Sequence, residues 1–149
     1  MSRRLLVAAM ACAALLPLSA CESTLDPSAV LGEYALVAIG GDALPARANT
    51  WSGIETLADT IRLREDGTGE RISVDREAGS GVNRRHEEAI VWRVNGDALE
   101  VSFPCPTNAL VSCIAPPHLA GPMLPGMQWA PEIAIMYGRT PLYQRVGAR

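Results

Sequence analysis

The stretch that decides the fold is residues 89–103, Ala-Ile-Val-Trp-Arg-Val-Asn-Gly-Asp-Ala-Leu-Glu-Val-Ser-Phe. Large apolar side chains occur at every second position on both sides of Asn95-Gly96, at Ile90, Trp92, Val94, Leu99, Val101 and Phe103. A period of two places these side chains on one face of a β-strand. Asn-Gly favours a two-residue turn because both central residues there adopt positive φ. The stretch therefore predicts an antiparallel β-hairpin.

The same pattern recurs along the chain on both sides of this hairpin. Alternating or β-prone runs cover residues 33–39, 57–64, 72–74, 133–137 and 142–146, and turn residues such as Asp66-Gly67 separate them. No segment after the N-terminal region has a convincing amphipathic helical period. We therefore predict an all-β protein, an antiparallel meander of seven strands with room for an eighth. Closure as a barrel, complete or nearly so, would remove exposed strand edges.

Length and charge restrict the class of protein. A chain of 149 residues with 19% charged residues of both signs fits one globular domain. The formal net charge of −3 argues against a nucleic-acid partner, because phosphates require basic surfaces.

The N-terminal segment has the three parts of an export signal. Arg3 and Arg4 are followed by an apolar run over residues 5–16, and Ser19 and Ala20 are small. The apolar run is too short to span a bilayer, which takes about 20 residues. We predict a cleaved signal helix over residues 1–20.

The end of this segment, Leu18-Ser19-Ala20-Cys21, resembles the lipobox of bacterial lipoproteins. The resemblance implies that Cys21 carries a diacylglyceryl group and, after cleavage, an acylated amino group such as a palmitate amide. Residues 21–29 would then be a lipidated tether to the membrane. The residue after the cysteine is Glu22 rather than Asp, which in that family favours the outer membrane, facing the periplasm.

Two of the four cysteines belong to the signal peptide and the lipid anchor, which leaves Cys105 and Cys113. An even remainder in an exported domain predicts one disulfide. A metal pair would need companions, and neither His86 nor His118 lies at a ligand spacing. A redox-active pair would need the tighter C-x-x-C spacing. We expect no metal and no cofactor.

Four stretches resemble the strands of small lipocalin-like bacterial lipoproteins. They are Gly-Glu-Tyr-Ala-Leu-Val-Ala-Ile-Gly-Gly-Asp-Ala-Leu-Pro at 32–45, Ile-Arg-Leu-Arg-Glu-Asp-Gly-Thr at 61–68, Trp-Arg-Val-Asn-Gly-Asp-Ala-Leu at 92–99, and Leu-Tyr-Gln-Arg at 142–145. The resemblance implies a small envelope β-barrel over residues 30–147. It implies a fold and a cellular location more than an activity.

Residues 104–131 depart from that pattern because they are long, rich in proline and carry the cysteine pair. We predict a Pro-rich loop there. It would either plug one barrel end or present a surface to a partner or ligand. The apolar residues of this loop are Leu119, Met123, Leu124, Met127 and Trp129.

Catalytic motifs are weak in this chain. His86 precedes two glutamates, but Ile90 occupies the position where a zinc-protease helix needs its second His. Ser80 lies one residue short of a Gly-x-Ser-x-Gly elbow. We therefore expect no enzymatic activity.

The inward face of the strands either fills the barrel or lines a pocket for one ligand. Its candidate lining residues are Tyr34, Ile61, Trp92, Phe103 and Ile135. The leading hypothesis is a non-enzymatic, lipid-anchored envelope lipoprotein that binds a small apolar ligand or serves structurally. The alternative is a protein-interaction module whose Pro-rich, disulfide-tied loop contacts an envelope partner.

Overall fold

The computed structural model describes residues 24–47, 53–105, 118–133 and 139–147. A short 3-10 helix, Pro27–Val30, precedes the strands. The strands are β1 (Gly32–Ile39), β2 (Asp42–Ala43), β3 (Ile54–Leu63), β4 (Thr68–Glu77), β5 (Asn83–Asn95), β6 (Ala98–Ser102), β7 (His118–Leu124), β8 (Gln128–Trp129), β9 (Glu132–Ile133) and β10 (Pro141–Arg145).

Eight of these strands form a closed antiparallel β-barrel. Their order is β1-β3-β4-β5-β6-β7-β8-β10, and β10 returns to pair with β1. The closing register runs from Tyr34 opposite Arg145 to Ile39 opposite Pro141. The short strands β2 and β9 add to β1 and β7 outside this path. The predicted all-β, antiparallel, closed architecture is confirmed, and the predicted signal helix lies outside the described residues.

Both predicted turn dipeptides lie at hairpins, but in each of them only the glycine has positive φ. In the β5–β6 hairpin the two-residue turn is Gly96-Asp97 rather than Asn95-Gly96, because Asn95 is the last paired residue of β5. Val94 pairs with Leu99 and Asn95 with Ala98, so the β5–β6 hairpin closes at Gly96, whose φ is +65°. The β3–β4 connection turns at Gly67, whose φ is +78°. Positive φ at these positions costs a glycine little, which is why these dipeptides mark the hairpins.

The barrel has two distinct ends. The tether end carries the turns at Gly67, Gly96 and Gly126, and the far end carries Ile39, Ile54, Glu77, Asn83, Ser102 and His118. The 3-10 helix covers the tether end, where the buried Tyr34 hydroxyl donates to the Val30 carbonyl at 2.9 Å. The Leu25 amide donates to the Gly96 carbonyl at 2.9 Å. The chain therefore enters the barrel at the tether end.

Buried apolar side chains from all around the barrel meet in one core. They are Val30, Tyr34, Leu36, Ile39, Ala46, Ile61, Leu63, Ile90, Leu99, Val101, Phe103, Leu119, Trp129 and Tyr143. The alternation thus assigns the inward faces of β5 and β6 correctly, and the predicted inward positions Tyr34 on β1 and Ile61 on β3 are also buried.

The predicted Pro-rich loop over residues 104–131 is wrong for its second half, which forms β7 and β8. Leu119 and Gly121 are buried on the inward face, while Pro122 is exposed. Glycine is needed at 121 because a Cβ there would lie 2.5 Å from the Ala130 carbonyl oxygen. Gly121-Pro122 weakens the local β signal of the sequence. The glycine nevertheless allows β7 to lie close to the backbone of residues 130–131, which precede β9.

Replacing Gly121 with alanine tests this close approach. The added Cβ would also lie 2.8 Å from the Pro131 Cα, so backbone must move. We expect Gly121→Ala to destabilise the fold by about 1–3 kcal/mol, as overpacking does. Thermal unfolding measures the change.

The matched control is Gly79→Ala, because a Cβ at Gly79 meets nothing within 4 Å. Its effect should stay within about 0.5 kcal/mol. Equal midpoints for the two variants would contradict the close approach of β7 to residues 130–131.

Candidate functional site

An ion pair lies on the inward face of the barrel, next to the apolar Ile61 and the buried Ser73. Asp59 on β3 has a side chain only 2% exposed, and Arg71 on β4 has one 29% exposed. The Arg71 Nε lies 3.1 Å from Asp59 Oδ1, and its Nη2 lies 2.6 Å from Oδ2. The guanidinium therefore binds the carboxylate through two nitrogens on one of its edges, and such bidentate pairs are strong.

A third strand completes the cluster. The Tyr143 hydroxyl on β10 donates to Asp59 Oδ2 at 3.0 Å in a buried environment. Burial and the negative charge of Asp59 raise the pKa of Tyr143 well above its ordinary value. Tyr143 therefore stays a protonated donor, and its ring packs against Trp129 with centroids 5.4 Å apart. We call Asp59, Arg71 and Tyr143 the interior triad.

Arg71 is the only member of the interior triad with appreciable access to water. Burial opposes its charge, but hydrogen bonding to Asp59 and the charge of Asp59 outweigh burial and raise the pKa of Arg71. A second carboxylate, Glu88, approaches its Nη1 at 3.4 Å. Its guanidinium carbon lies 5.5 Å from the Phe103 ring centroid, within cation–π range. Arg71 is therefore held permanently charged between two carboxylates and an aromatic face.

These contacts define what the interior triad can do chemically. Asp59 Oδ2 accepts from Arg71 and Tyr143, and Oδ1 accepts from Arg71. A carboxylate so fully engaged is poorly placed to abstract a proton. Among the described residues, every buried side-chain nitrogen and oxygen has a hydrogen-bond partner. The interior triad is suited to cross-linking β3, β4 and β10.

Four of the predicted lining residues lie inside the barrel, and Ile135 lies outside the described residues. Tyr34 and Ile61 are completely buried, and Phe103 is 8% exposed. Trp92 packs partly buried against the core, and its Nε1 donates to the carbonyls of Arg64 and Thr68 at 2.9 and 3.0 Å. The structure thus brings these four side chains together as packed core.

The residues predicted to belong to one Pro-rich loop, either a plug or a presented surface, separate into two groups, which corrects that expectation. Leu119 and Trp129 are buried, and Trp129 Nε1 donates to the Gly121 carbonyl at 3.2 Å. Met123 packs partly buried against the core. Leu124 is exposed and Met127 lies in the β7–β8 turn. The alternation of β7 and β8 turns the first group inward.

The predicted covalent sites lie mostly beyond the described residues. Cys105 follows β6 and is disulfide-bonded. Its predicted partner Cys113 and the predicted lipid-bearing Cys21 lie outside the described residues. Pairing with Cys113 and lipidation at Cys21 stay predictions.

A Ser–His contact lies on the outer wall beside a groove of about 160 Å³. Ser102 Oγ and His118 Nδ1 are 3.2 Å apart across β6 and β7. The neighbouring Glu100 is hydrogen-bonded to Asn95 and Arg93, and these bonds lower its pKa. Glu100 makes these hydrogen bonds and also interacts with His118 through its charge, and the Ser102–His118 contact is a cross-strand hydrogen bond between β6 and β7.

Metal-binding clusters and membrane-spanning helices are both absent from the described ranges. No group of three or more His, Cys, Asp or Glu side chains there is arranged to hold a metal ion. No helix in those ranges is long and apolar enough to cross a membrane.

No protein-family model, curated protein or solved structure matches this chain. Its function is therefore inferred from its own residues.

The interior triad was not predicted from the sequence, although a signal for it exists. Asp59 stands two residues before Ile61 on the inward face of β3. Arg71 stands midway between the buried Gly69 and Ser73 on β4. A charge at an inward position of an alternating strand indicates a buried partner, because an unpaired buried charge is very costly.

Breaking the interior triad tests its role as a cross-link. Asp59→Ala leaves Arg71 without its main partner, so we expect the free energy of unfolding to fall by about 3 kcal/mol. This value lies at the lower end of what breaking a buried ion pair usually costs, because Arg71 is partly accessible to water. The triple variant Asp59→Leu/Arg71→Met/Tyr143→Phe should recover most of that loss, because it also removes the buried Tyr143 hydroxyl that would lose its acceptor, and apolar residues of similar volume often replace buried ion pairs. Denaturant unfolding measures both.

Glu33→Ala is the matched surface control, because it removes an exposed carboxylate from Arg62 at 2.8 Å. Its cost should stay below about 1 kcal/mol. If Asp59→Ala cost no more than Glu33→Ala, Asp59 would not be the buried partner on which the charge of Arg71 depends.

Proposed function

We propose that this protein is a lipid-anchored lipoprotein of the bacterial envelope whose lipocalin-like barrel is non-enzymatic and serves as a filled scaffold. The observation that carries the proposal is where the fold begins. All eight barrel strands lie between Gly32 and Arg145, so cleavage before Cys21 leaves the barrel whole. Among the described residues, the first that is hydrogen-bonded to the barrel is Leu25, four positions after Cys21.

The packed interior supports a scaffold over an apolar-ligand carrier. Tyr34 and Ile61 are completely buried in the core rather than lining open space. The interior triad also places a hydrogen-bonded ion pair on the inward face of the barrel. An apolar ligand bound there would remove these charges from water, which is unfavourable. A ligand that entered the barrel would displace well-packed side chains, which costs free energy at close-packed density.

The engaged state of the polar groups supports a non-enzymatic role. Asp59 accepts hydrogen bonds at both carboxylate oxygens, and next to the Ser102–His118 contact Glu100 is hydrogen-bonded to other side chains. Each arrangement stabilises strand pairing.

One observation favours the second candidate function, contact with an envelope partner. The Pro-rich connection leaves the barrel after Phe103 and returns at His118, and both positions lie at the far end. Leu25 enters at the opposite end. With a lipid anchor at Cys21, Phe103 and His118, the described positions at the two ends of this connection, would lie on the side away from the membrane, where a periplasmic protein could reach them.

Metabolic labelling with radioactive palmitate tests the anchor. Cys21→Ser should abolish labelling and leave the uncleaved precursor, because the thiol is the site of lipid attachment. Cys12→Ser, the matched control inside the predicted signal, should label and mature normally. Unchanged labelling of Cys21→Ser would remove the lipoprotein proposal.

Native mass spectrometry of the mature, detergent-extracted protein tests the scaffold. We expect the mass of the acylated chain alone. A stoichiometric apolar adduct that survives extraction would instead make the protein a ligand carrier.

A further inference from the structure

The tether leaves little freedom between lipid and barrel. Four residue steps separate Cys21 from Leu25, which span at most about 14 Å when fully extended. The Leu25 amide is bonded to the Gly96 carbonyl, and its side chain packs against the core. An acylated Cys21 therefore holds the β5–β6 turn close to the lipid surface.

Next to that turn, which carries the exposed Asp97, the rim of the tether end has a group of apolar side chains. Leu124 is 37% exposed and Val146 is 53% exposed. The β7–β8 turn lies against the end of β10, since the Arg145 amide donates to the Met127 carbonyl at 3.1 Å. We call Leu124, Pro125, Met127 and Val146 the rim patch. Apolar side chains grouped at one exposed edge indicate a contact surface.

The opposite side of the same rim is acidic. The β3–β4 turn carries the exposed carboxylates Glu65 and Asp66. Hydrogen bonds from the Thr68 hydroxyl and amide lower the pKa of Asp66, so it stays charged. This sector remains in water, and among the described residues of the rim the rim patch is the part that can enter an apolar layer.

From these observations we propose that the rim patch docks on the lipid surface and stands the barrel on its tether end. The proposal rests on the lipid anchor at Cys21 proposed above. The rim patch would contact the bilayer interface rather than another protein, because the short segment from Cys21 to Leu25 already holds the tether end of the barrel close to the lipid. The far end then faces away from the membrane.

The outer wall opposes a barrel lying on its side. Arg62 on that wall is ion-paired with Glu33 and Glu70, at 2.8 Å each. Pressing these pairs into lipid would desolvate three charges, whereas burying the rim patch removes apolar surface from water. The exposed apolar side chains Ile54 and Val82 lie at the far end. They would not touch the lipid when the barrel stands on its tether end.

Depth-dependent fluorescence quenching tests the docking on the full lipidated protein. The protein is reconstituted in vesicles of phosphatidylcholine and phosphatidylethanolamine that contain nitroxide-labelled lipid. An environment-sensitive dye is attached to Val146→Cys, or to the matched far-end variant Val82→Cys, two positions exposed by 53% and 52%. We expect strong quenching and a blue shift at 146, and the spectrum of a water-exposed dye at 82.

A charge in the rim patch should undo the docking without undoing the anchor. Leu124→Glu should return the dye at 146 to its water-exposed spectrum while the protein still floats with the vesicles. Val37→Glu, on the outer face of β1 at a similar exposure of 40%, should leave quenching unchanged. Circular dichroism checks that both variants keep the strand spectrum.

Two results separate failure of the docking from failure of the anchor. A protein that floats with vesicles while dyes at 146 and 82 are quenched equally overturns the docking alone. A protein that does not float at all overturns the anchor on which the docking rests. Quenching at 146 that survives Leu124→Glu also overturns the rim patch.

Discussion

The rest of the structure depends on the pairing of β1 with β10. β1 is bonded to β3 on one side and β10 on the other, and this second ladder joins the two ends of the sheet. Without it, eight strands would leave two long unpaired edges, which invite association with other chains. Closure also turns every alternating apolar face toward one core, so that the single fold-deciding hairpin and its neighbours bury their side chains together.

The interior triad is a direct consequence of that closure. Asp59 on β3 and Tyr143 on β10 are 84 residues apart, and only β1 separates their strands. A buried ion pair contributes little net stability, because the desolvation of two charges offsets their attraction. Its value here lies in register, since a slip of one residue between β3 and β4 would point Asp59 or Arg71 to the wrong face.

Local patterns predicted most of the strands, and the interior arrangement could not be predicted from them. The β5–β6 hairpin was predictable because alternation and Asn95-Gly96 agree within a few residues. β7 was missed because Gly121 and Pro122 lower its β signal, although backbone proximity at Gly121 is what its packing requires. The partners of Asp59 come from β4 and β10, and only the closed three-dimensional pairing brings both to one carboxylate. Trp129 was likewise predicted as part of the Pro-rich loop, and its complete burial depends on that same closure.

Native-state amide hydrogen exchange of β1 and β10 measures closure most directly. If the barrel is closed as one unit, amides in Gly32–Ile39 and Pro141–Arg145 should exchange only through global unfolding, at the slow rate of β3 and β4. The exposed β4–β5 connection around Gly79 and Gly81 gives the fast reference. Exchange of β10 amides as fast as that connection, with β3 and β4 still protected, would mean that the barrel opens between β1 and β10 and would contradict this account.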